Sequence, residues 1–184
     1  LAYQPCEVVN TCPTVGEDWP LTTFTSMFMH GGWLHLLGNM LFLWIFGNNV
    51  EDALGRVRFL LFYLAGGLAA TAVQTFVTLT YASDAEAAIP NVGASGAVSA
   101  VLGAYFLLLP RAKVLTVILF VLREVPAVLF LGLWFAFQLY DGSTAISRPQ
   151  EGGGIAFFAH IGGFVFGFLA VKLVQKRKPL APTH

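Results

Sequence analysis

Long uncharged runs dominate the pattern of hydrophobic and polar positions in this chain of 184 residues. A helix needs about 20 predominantly apolar residues to cross the hydrocarbon core of a bilayer. Four runs without Asp, Glu, Lys or Arg have that length: 31–50, 59–80, 87–110 and 152–171. A fifth run, 125–140, is shorter, and an apolar stretch at 114–122 precedes it. The pattern predicts an all-α, polytopic membrane protein with about five transmembrane helices, in which residues 114–124 stay near one membrane face.

The composition of the chain also favours a membrane protein. Hydrophobic residues make up 57% of it and charged residues 11%, whereas soluble domains carry about 25% charged residues. The formal net charge is zero, which gives no basis for binding nucleic acid. We predict a single membrane domain over residues 1–184, with an outer loop at 1–24, a helical core at 25–174 and a tail at 175–184.

The basic residues predict the orientation in the membrane. If the helices alternate in direction from an external N-terminal end, one side receives nine of the ten Lys and Arg residues: Arg56, Arg58, Arg111, Lys113, Arg123, Lys172, Lys176, Arg177 and Lys178. Cytoplasmic loops carry the excess of Lys and Arg, so we expect a cytoplasmic C-terminus. Five helices that start outside require export of that end, and the first twenty residues lack the features of a signal peptide. We therefore also expect a further helix upstream of Leu1.

Cys6 and Cys12 both lie in the predicted outer loop. That compartment is oxidising, so a disulfide that closes a short loop is one interpretation of the pair. Two unpaired thiols are the other, and the sequence leaves both open. Neither cysteine lies in a predicted transmembrane helix, which disfavours a thiolate metal site.

Small residues recur at every fourth position in the third and the last predicted helix. The two series are Gly96, Ala100 and Ala104, and Ala159, Gly163 and Gly167. In lipid, small residues mark the faces through which helices approach closely. We therefore expect these two helices to pack against each other.

A few strongly polar side chains lie inside the uncharged runs, where such residues are functional hypotheses by default. They are His35, Asn39, Ser95 and His160. Counted from the helix ends, all four lie in the outer third of the predicted membrane. For His160, six residues after Gly154, the depth is about 9 Å at 1.5 Å per residue. This shared depth indicates one site.

Ser95 and His160 together provide a nucleophile and a base. A neutral imidazole takes the hydroxyl proton as the serine oxygen attacks a carbonyl. Ser95 also lies at the start of its predicted helix, where free N–H groups favour a developing negative charge. Gly93 and Gly96 on either side leave room for a substrate backbone to approach.

His35 and Asn39 are four residues apart, so they share a helix face from which both could donate hydrogen bonds to an oxyanion.

Each of these polar residues also has a purely structural interpretation. A serine in a membrane helix usually bonds the carbonyl one turn back, and histidine and asparagine often contribute to helix packing. His30, His35 and His160 could ligate zinc, but no HExxH motif or carboxylate accompanies them. We expect neither a metal nor another cofactor.

Three segments resemble a known family: "HGGWLHLLGNM" at 30–40, "GASGAVSAVLGAY" at 93–105 and "AHIGGFVFG" at 159–167. In this order and on alternating helices they resemble the rhomboid intramembrane serine proteases, from about Phe24 to Val171. The resemblance implies a rhomboid-like bundle, with about five of its six core helices present in this sequence.

The resemblance implies a role for each polar residue. Ser95 matches the nucleophile, His160 its base, and His35 and Asn39 the oxyanion residues. His30 begins the same H-x₄-H-x₃-N pattern, and we group it with His35 and Asn39 for oxyanion stabilisation. The family uses the helix at 126–140 as a lateral gate for substrate, and there we single out Trp134, Phe137 and Gln138.

The sequence departs from the family at one position. Many rhomboids carry an aromatic residue four positions after the nucleophile, where it stacks on the catalytic histidine; here that position is Ser99. No acidic residue is available to orient the base. What holds the ring of His160 is therefore left open.

The expected function is that of an intramembrane serine endopeptidase that cleaves transmembrane-helix proteins near the outer leaflet of the bilayer. Water must reach Ser95, so we expect a polar cavity beside it, with the loop at 141–154 as a candidate lid. A bacterial inner membrane is the expected location. The alternative is a catalytically inactive rhomboid-like protein that binds transmembrane helices.

Overall fold

The computed structural model describes residues 2–12, 18–118, 120–147 and 156–178. Within these ranges the chain is predominantly helical, as predicted, with one antiparallel β-hairpin that the hydrophobic pattern did not predict. The helices are α1 (Trp19–Ser26), α2 (Trp33–Leu54), α3 (Arg56–Tyr81), α4 (Asp84–Ala87), α5 (Ser95–Leu108), α6 (Ala127–Ser147) and α7 (Phe157–Val174); the strands are β1 (Lys113–Ile118) and β2 (Val121–Pro126).

One predicted helix boundary is confirmed and one is wrong. The third helix was expected to begin a residue or two before Ser95, and α5 does begin at Ser95, because Pro90 and the positive φ of Gly93 (128°) interrupt helical backbone before it. The fifth helix was expected to end at 140, but α6 has 21 residues and continues to Ser147. Polar side chains there bond locally: Ser143 Oγ donates to the Tyr140 carbonyl at 2.7 Å.

Among the described helices, α3 and α7 are long and apolar enough to cross a membrane, and α5 is a shorter apolar helix of 14 residues. Residues 96–105 of α5 are buried without interruption. This helix packs on α7, α3 and α2, and its contact with α7 is the most extensive between any two described elements. The start of α5 therefore lies where several helices meet.

The predicted small-residue packing of the third and last helices is confirmed. A Cβ added at Gly163 would lie 2.1 Å from the carbonyl oxygen of Gly96, and one at Gly167 would lie 1.9 Å from that of Ala100. At these distances backbone meets backbone, so a side chain at either glycine would force the helices apart. The close approach fixes α7 beside the first turns of α5.

A one-residue turn at Gly55, with φ of 80°, joins α2 to α3. The chain that follows α7 lies against this turn: Lys176 N–H donates to the Ala53 carbonyl at 2.9 Å, and Arg177 pairs with Asp52. This contact holds the C-terminal end of α7 to the end of α2.

The hairpin of β1 and β2 pairs Leu115 with Glu124 and Val117 with Leu122. Leu115, Val117 and Leu122 lie on one face and are 58%, 64% and 63% exposed. The Lys113 ammonium donates to Glu124 at 2.6 Å, and this hydrogen bond raises the pKa of Lys113. The base of the hairpin is thus charged and its distal part apolar.

Segments before α2 secure the loop that leads to Ser95. Cys6 and Cys12 form a disulfide with a Cα–Cα distance of 5.0 Å, so of the two interpretations the structure has the bridge. The Tyr3 carbonyl accepts from Asn91 N–H at 2.7 Å, and the Ser26 carbonyl accepts from Gly93 N–H at 2.9 Å. These bonds hold residues 91–93 on both sides before α5 begins.

Candidate active site

Ser95 is the first residue of α5 and is half-buried. The first helical hydrogen bond runs from Val98 N–H to the Ala94 carbonyl at 2.9 Å, so the preceding N–H groups of the turn have no partner within the helix. Among the described residues, the Ser95 hydroxyl makes no hydrogen bond. It is Ser99 Oγ that donates one turn back, to the Ser95 carbonyl at 2.7 Å. The Ser95 hydroxyl is therefore not engaged by its own helix.

His35, the third residue of α2, faces the loop beside Ser95. The point where a Cβ of Gly93 would stand is 2.8 Å from His35 Nε2 and 3.7 Å from Ser95 Oγ. Gly31 N–H donates to His35 Nδ1 at 3.3 Å, which assigns the proton of the neutral ring to Nε2. A donor N–H thus lies beside Gly93, close to the serine.

Asn39 and His30 lie behind His35. Asn39 is buried, and its Nδ2 donates to the His35 carbonyl at 2.9 Å, so part of its donor capacity is used within α2. The rings of His30 and His35 meet edge to face with centroids 5.2 Å apart. Within the described ranges, His30 Nε2 is buried without a hydrogen-bond partner. Both residues contact His35, and their roles toward an oxyanion stay predictions.

His160 is the fourth residue of α7, at the same end of the bundle. Its Nδ1 lies 2.7 Å from Gln138 Oε1, and its ring centroid lies 6.0 Å from that of Trp134. Both partners come from α6, so two contacts from that helix hold the ring that Ser99 cannot stack on. The described residues show no hydrogen bond between Ser95 and His160. Such bonds often form only in the substrate complex.

The backbone near His160 is fixed from α3. Gln74 Oε1 accepts from Ala159 N–H at 3.1 Å, while Gln74 Nε2 donates to Thr78 Oγ1 at 3.1 Å. Ala159 N–H also donates to the Ala156 carbonyl at 3.1 Å, so this N–H is shared between its own helix and the Gln74 amide. The bond to Gln74 links the first turn of α7, next to His160, to α3.

A cavity of about 40 Å³ lies next to Ser95, between α3, α5 and the loop before α5. A cavity needs about 10–15 Å³ of such volume to hold one water molecule, and the water also needs polar partners. Polar side chains on the wall come from Thr71, Gln74 and Asn91. There is thus room for water beside the serine, but the wall of this cavity is more apolar than polar, whereas a polar cavity was expected.

A family model of the Rhomboid domain matches residues 17–177 of the chain. The chain belongs to the rhomboid family. It is 35% identical over 159 residues to "Rhomboid protein 1, mitochondrial" of Saccharomyces cerevisiae, 34% over 163 residues to "Rhomboid protease GluP" of Bacillus subtilis, and 30% over 165 residues to "Putative rhomboid protease YdcA" of Bacillus subtilis. These matches cover 83%, 88% and 88% of this chain, and 42%, 27% and 72% of the respective relatives.

Membership of the rhomboid family makes the chain an integral membrane protein of the helical, polytopic class. The chain spans less than half the length of the yeast relative and about a quarter of GluP. Two of these three relatives are named as proteases, and the third is named only as a rhomboid protein. The names of these relatives therefore do not decide the activity of this chain.

The three residues singled out as a gate have different surroundings in this rhomboid. Trp134 packs on His160 and on Phe164, and Gln138 is bonded to His160. Phe137 is 55% exposed. A gating role for the three residues stays a prediction. Of the proposed lid at 141–154, residues 141–147 belong to α6 and the remainder lies outside the described residues.

Two glutamines of the site were not assigned to it from the sequence. The sequence pattern assigns no role to Gln74 and predicts only a gating role for Gln138. Both lie inside uncharged runs, where an amide needs a partner as much as an imidazole does. That rule, applied to every polar residue in the runs, would have found both. Their partners on other helices could be found only from the fold.

Proposed function

We propose that this rhomboid is a serine-type intramembrane endopeptidase in which Ser95 is the nucleophile and His160 the general base. The observation that carries the proposal is the unengaged Ser95 hydroxyl at the first residue of α5, beside the Nε2–H of His35. The close packing of α7 on α5 at Gly96 and Gly163 supports the approach of His160 to the serine.

In the proposed reaction, Ser95 Oγ attacks the scissile carbonyl and His160 takes its proton. The C–N bond then breaks, and His160 returns the proton to the departing amine, which leaves an ester on Ser95. Water, activated by the same imidazole, attacks the ester and releases the new carboxylate. The half-buried site with its adjacent cavity supports a supply of water to this second step.

The oxyanion of the tetrahedral intermediate is proposed to bind the Ser95 N–H and the Nε2–H of His35, with Asn39 contributing its remaining amide hydrogen. The first turn of α5 adds the positive end of a helix dipole. His30 supports this set indirectly, through its ring contact with His35.

The proposed substrates are proteins with a transmembrane helix, cleaved where that helix unwinds near the outer leaflet. The relevant residues belong to the first two turns of α2, to the first turns of α5 and α7, and to the middle of α6; the three helix starts support a site near one membrane face. A bacterial inner membrane, with the N-terminal end of the chain outside, is the location that we propose.

Cleavage of a fluorescent transmembrane-helix substrate in proteoliposomes tests this function. Ser95→Ala and His160→Ala are expected to abolish turnover while substrate association, followed by energy transfer between labelled protein and substrate, persists. The rival function is that of an inactive rhomboid that only binds transmembrane helices. Association without cleavage in the wild type, equal in all three proteins, would establish the rival and exclude the protease.

A further inference from the structure

Gln138 is placed to control the ring of His160. Its Oε1 lies 2.7 Å from His160 Nδ1, a distance typical of a good hydrogen bond. With Oε1 as the acceptor, the imidazole must donate from Nδ1. We propose that Gln138 is a positioning residue, which holds His160 as the Nδ1–H tautomer with Nε2 free to accept the proton of Ser95. This inference rests on the proposed function.

The same contact with the amide reversed would have the opposite consequence. If Gln138 Nε2 faced the ring, it would donate to Nδ1 and the proton would reside on Nε2. An imidazole in that form has no lone pair on Nε2 to accept a proton from the nucleophile. The orientation of one amide thus decides which nitrogen is basic, and the tautomer of His160 reports it.

The surrounding packing explains why Gln138 can serve this purpose. Trp134, Gln138 and Gly142 are spaced by four residues, so they share one face of α6. That face lies along α7: a Cβ at Gly142 would be 3.2 Å from Phe158 Cζ and 3.4 Å from Ile161 Cδ1. The Trp134 ring lies 6.0 Å from the His160 ring. The amide is therefore held on a packed interface between two helices.

The contacts of His160 with α6 take the place of two features: an aromatic residue four positions after the nucleophile and a carboxylate bonded to the imidazole. The position four residues after the nucleophile is Ser99, which is 1% exposed and bonded to the Ser95 carbonyl, so it cannot stack on the ring. Among the described residues, no carboxylate bonds His160. A neutral amide acceptor sets the tautomer as a carboxylate would, without placing a second charge in a low-dielectric site.

The tautomer is measured by nitrogen NMR of protein labelled with ¹⁵N in histidine side chains, in detergent micelles at a pH where the ring is neutral. The His160→Gln variant assigns the two resonances. We expect a protonated, pyrrole-type Nδ1 and a pyridine-type Nε2 in the wild type, and loss of this preference in Gln138→Met. An Nε2–H tautomer in the wild type, or an unchanged spectrum in Gln138→Met, would overturn the inference.

Kinetics give a second readout. Gln138→Met is expected to lower kcat by about 10- to 100-fold, as loss of a group that orients a histidine commonly does, with little change in KM. Gln138→Glu keeps an acceptor at the same reach and should retain more activity than Gln138→Met. Leu139→Ala, at the neighbouring and 47% exposed position, is the matched control and should leave kcat unchanged. Equal kcat in the wild type and Gln138→Met would contradict the proposal.

Failure of this inference can be told from failure of the proposed function. If Ser95→Ala abolishes cleavage and Gln138→Met has wild-type kcat and tautomer, the protease stands and the positioning role falls. If Ser95→Ala does not affect cleavage, the proposed function itself falls.

Discussion

Gly93 sets the distance between the proposed oxyanion donor and the nucleophile. Its φ of 128° is a conformation that residues with a side chain rarely adopt, and a Cβ there would lie 2.7 Å from His35 Cε1. The glycine therefore allows the chain to turn into α5 while the imidazole of His35 lies directly against the turn. Position 93 therefore requires glycine both for its backbone conformation and for the space that His35 occupies.

Gly93→Ala is accordingly expected to lower kcat by about 100-fold, because displacement of His35 or of the Ser95 backbone by about 1 Å misplaces the reacting groups. Gly38→Ala, within α2, is the matched control, since no atom lies within 4 Å of its added Cβ. Steady-state cleavage of a transmembrane substrate by both variants is the measurement. Equal activities of the two variants would show that the contact between Gly93 and His35 is irrelevant.

His35→Ala tests the donor itself. Removal of one oxyanion donor typically costs 10²–10³ in kcat, and we expect a loss of that size with substrate association retained. His30→Ala should cost less, since within the described residues its ring meets His35 and its Nε2 bonds nothing. A larger loss in His30→Ala than in His35→Ala would reverse the assignment of roles.

Helices α5 and α7 are joined by glycine contacts that leave no room for a side chain. A Cβ at Gly167 would be 1.9 Å from the Ala100 carbonyl oxygen and 2.6 Å from its carbon. Rigid backbone on both sides cannot move without separating the helices. The same interface fixes His160 relative to Ser95, so stability and site geometry depend on one contact.

Gly167→Ala is therefore expected to lower the free energy of unfolding by about 1–3 kcal/mol, the usual cost of an overpacked interior. Gly132→Ala in α6 is the control, because its nearest neighbour would be Phe106 Cε2 at an ordinary 3.7 Å. Unfolding in mixed detergent micelles, followed by tryptophan fluorescence, compares the two. A Gly167→Ala protein as stable as the control would contradict the rigid-contact account.

We expect the hairpin of β1 and β2 to contact lipid. Phe120 is 100% exposed, and Leu115, Val117 and Leu122 form an apolar face above a charged base. Unpaired backbone N–H and C=O groups at the edge of a sheet are not tolerated within the hydrocarbon core. We therefore expect the hairpin to lie at the membrane–water interface, with its apolar side chains inserted toward the hydrocarbon.

A nitroxide at Phe120→Cys tests this placement. Among the described residues no cysteine is free, so the label has a single target there. In liposomes, oxygen should relax the label at 120 more than a water-soluble nickel complex does. A label at Thr116→Cys, on the opposite hairpin face, should show the reverse preference. Equal access of the nickel complex to both positions would place the hairpin in water.

The distribution of Lys and Arg along the chain predicts its orientation in the membrane. Ala85 in α4 is exposed on the side of Ser95, whereas Lys178 follows the far end of α7. In intact cells, a membrane-impermeant maleimide should label Ala85→Cys at once and Lys178→Cys only after permeabilisation. The opposite order would invert the topology and place the site at the inner leaflet.

Much of the molecule could be predicted from the sequence, because lipid imposes simple rules. Uncharged runs located the long helices, and small residues at every fourth position predicted the packing of α5 on α7. The hairpin could not be predicted, since nine apolar residues are compatible with either a strand or a short helix. The start of α5 at Ser95 could be predicted, but the bonds from Tyr3 and Ser26 that hold the loop before it could not, since both residues are distant in sequence.

Covalent labelling tests whether Ser95 is a nucleophile activated by His160. The folded protein in micelles is treated with a fluorophosphonate, and the modified residue is located by mass spectrometry. We expect one adduct on Ser95 that is absent from Ser95→Ala and strongly reduced in His160→Ala. A protein whose Ser95 stays unmodified, or whose labelling does not depend on His160, would contradict it.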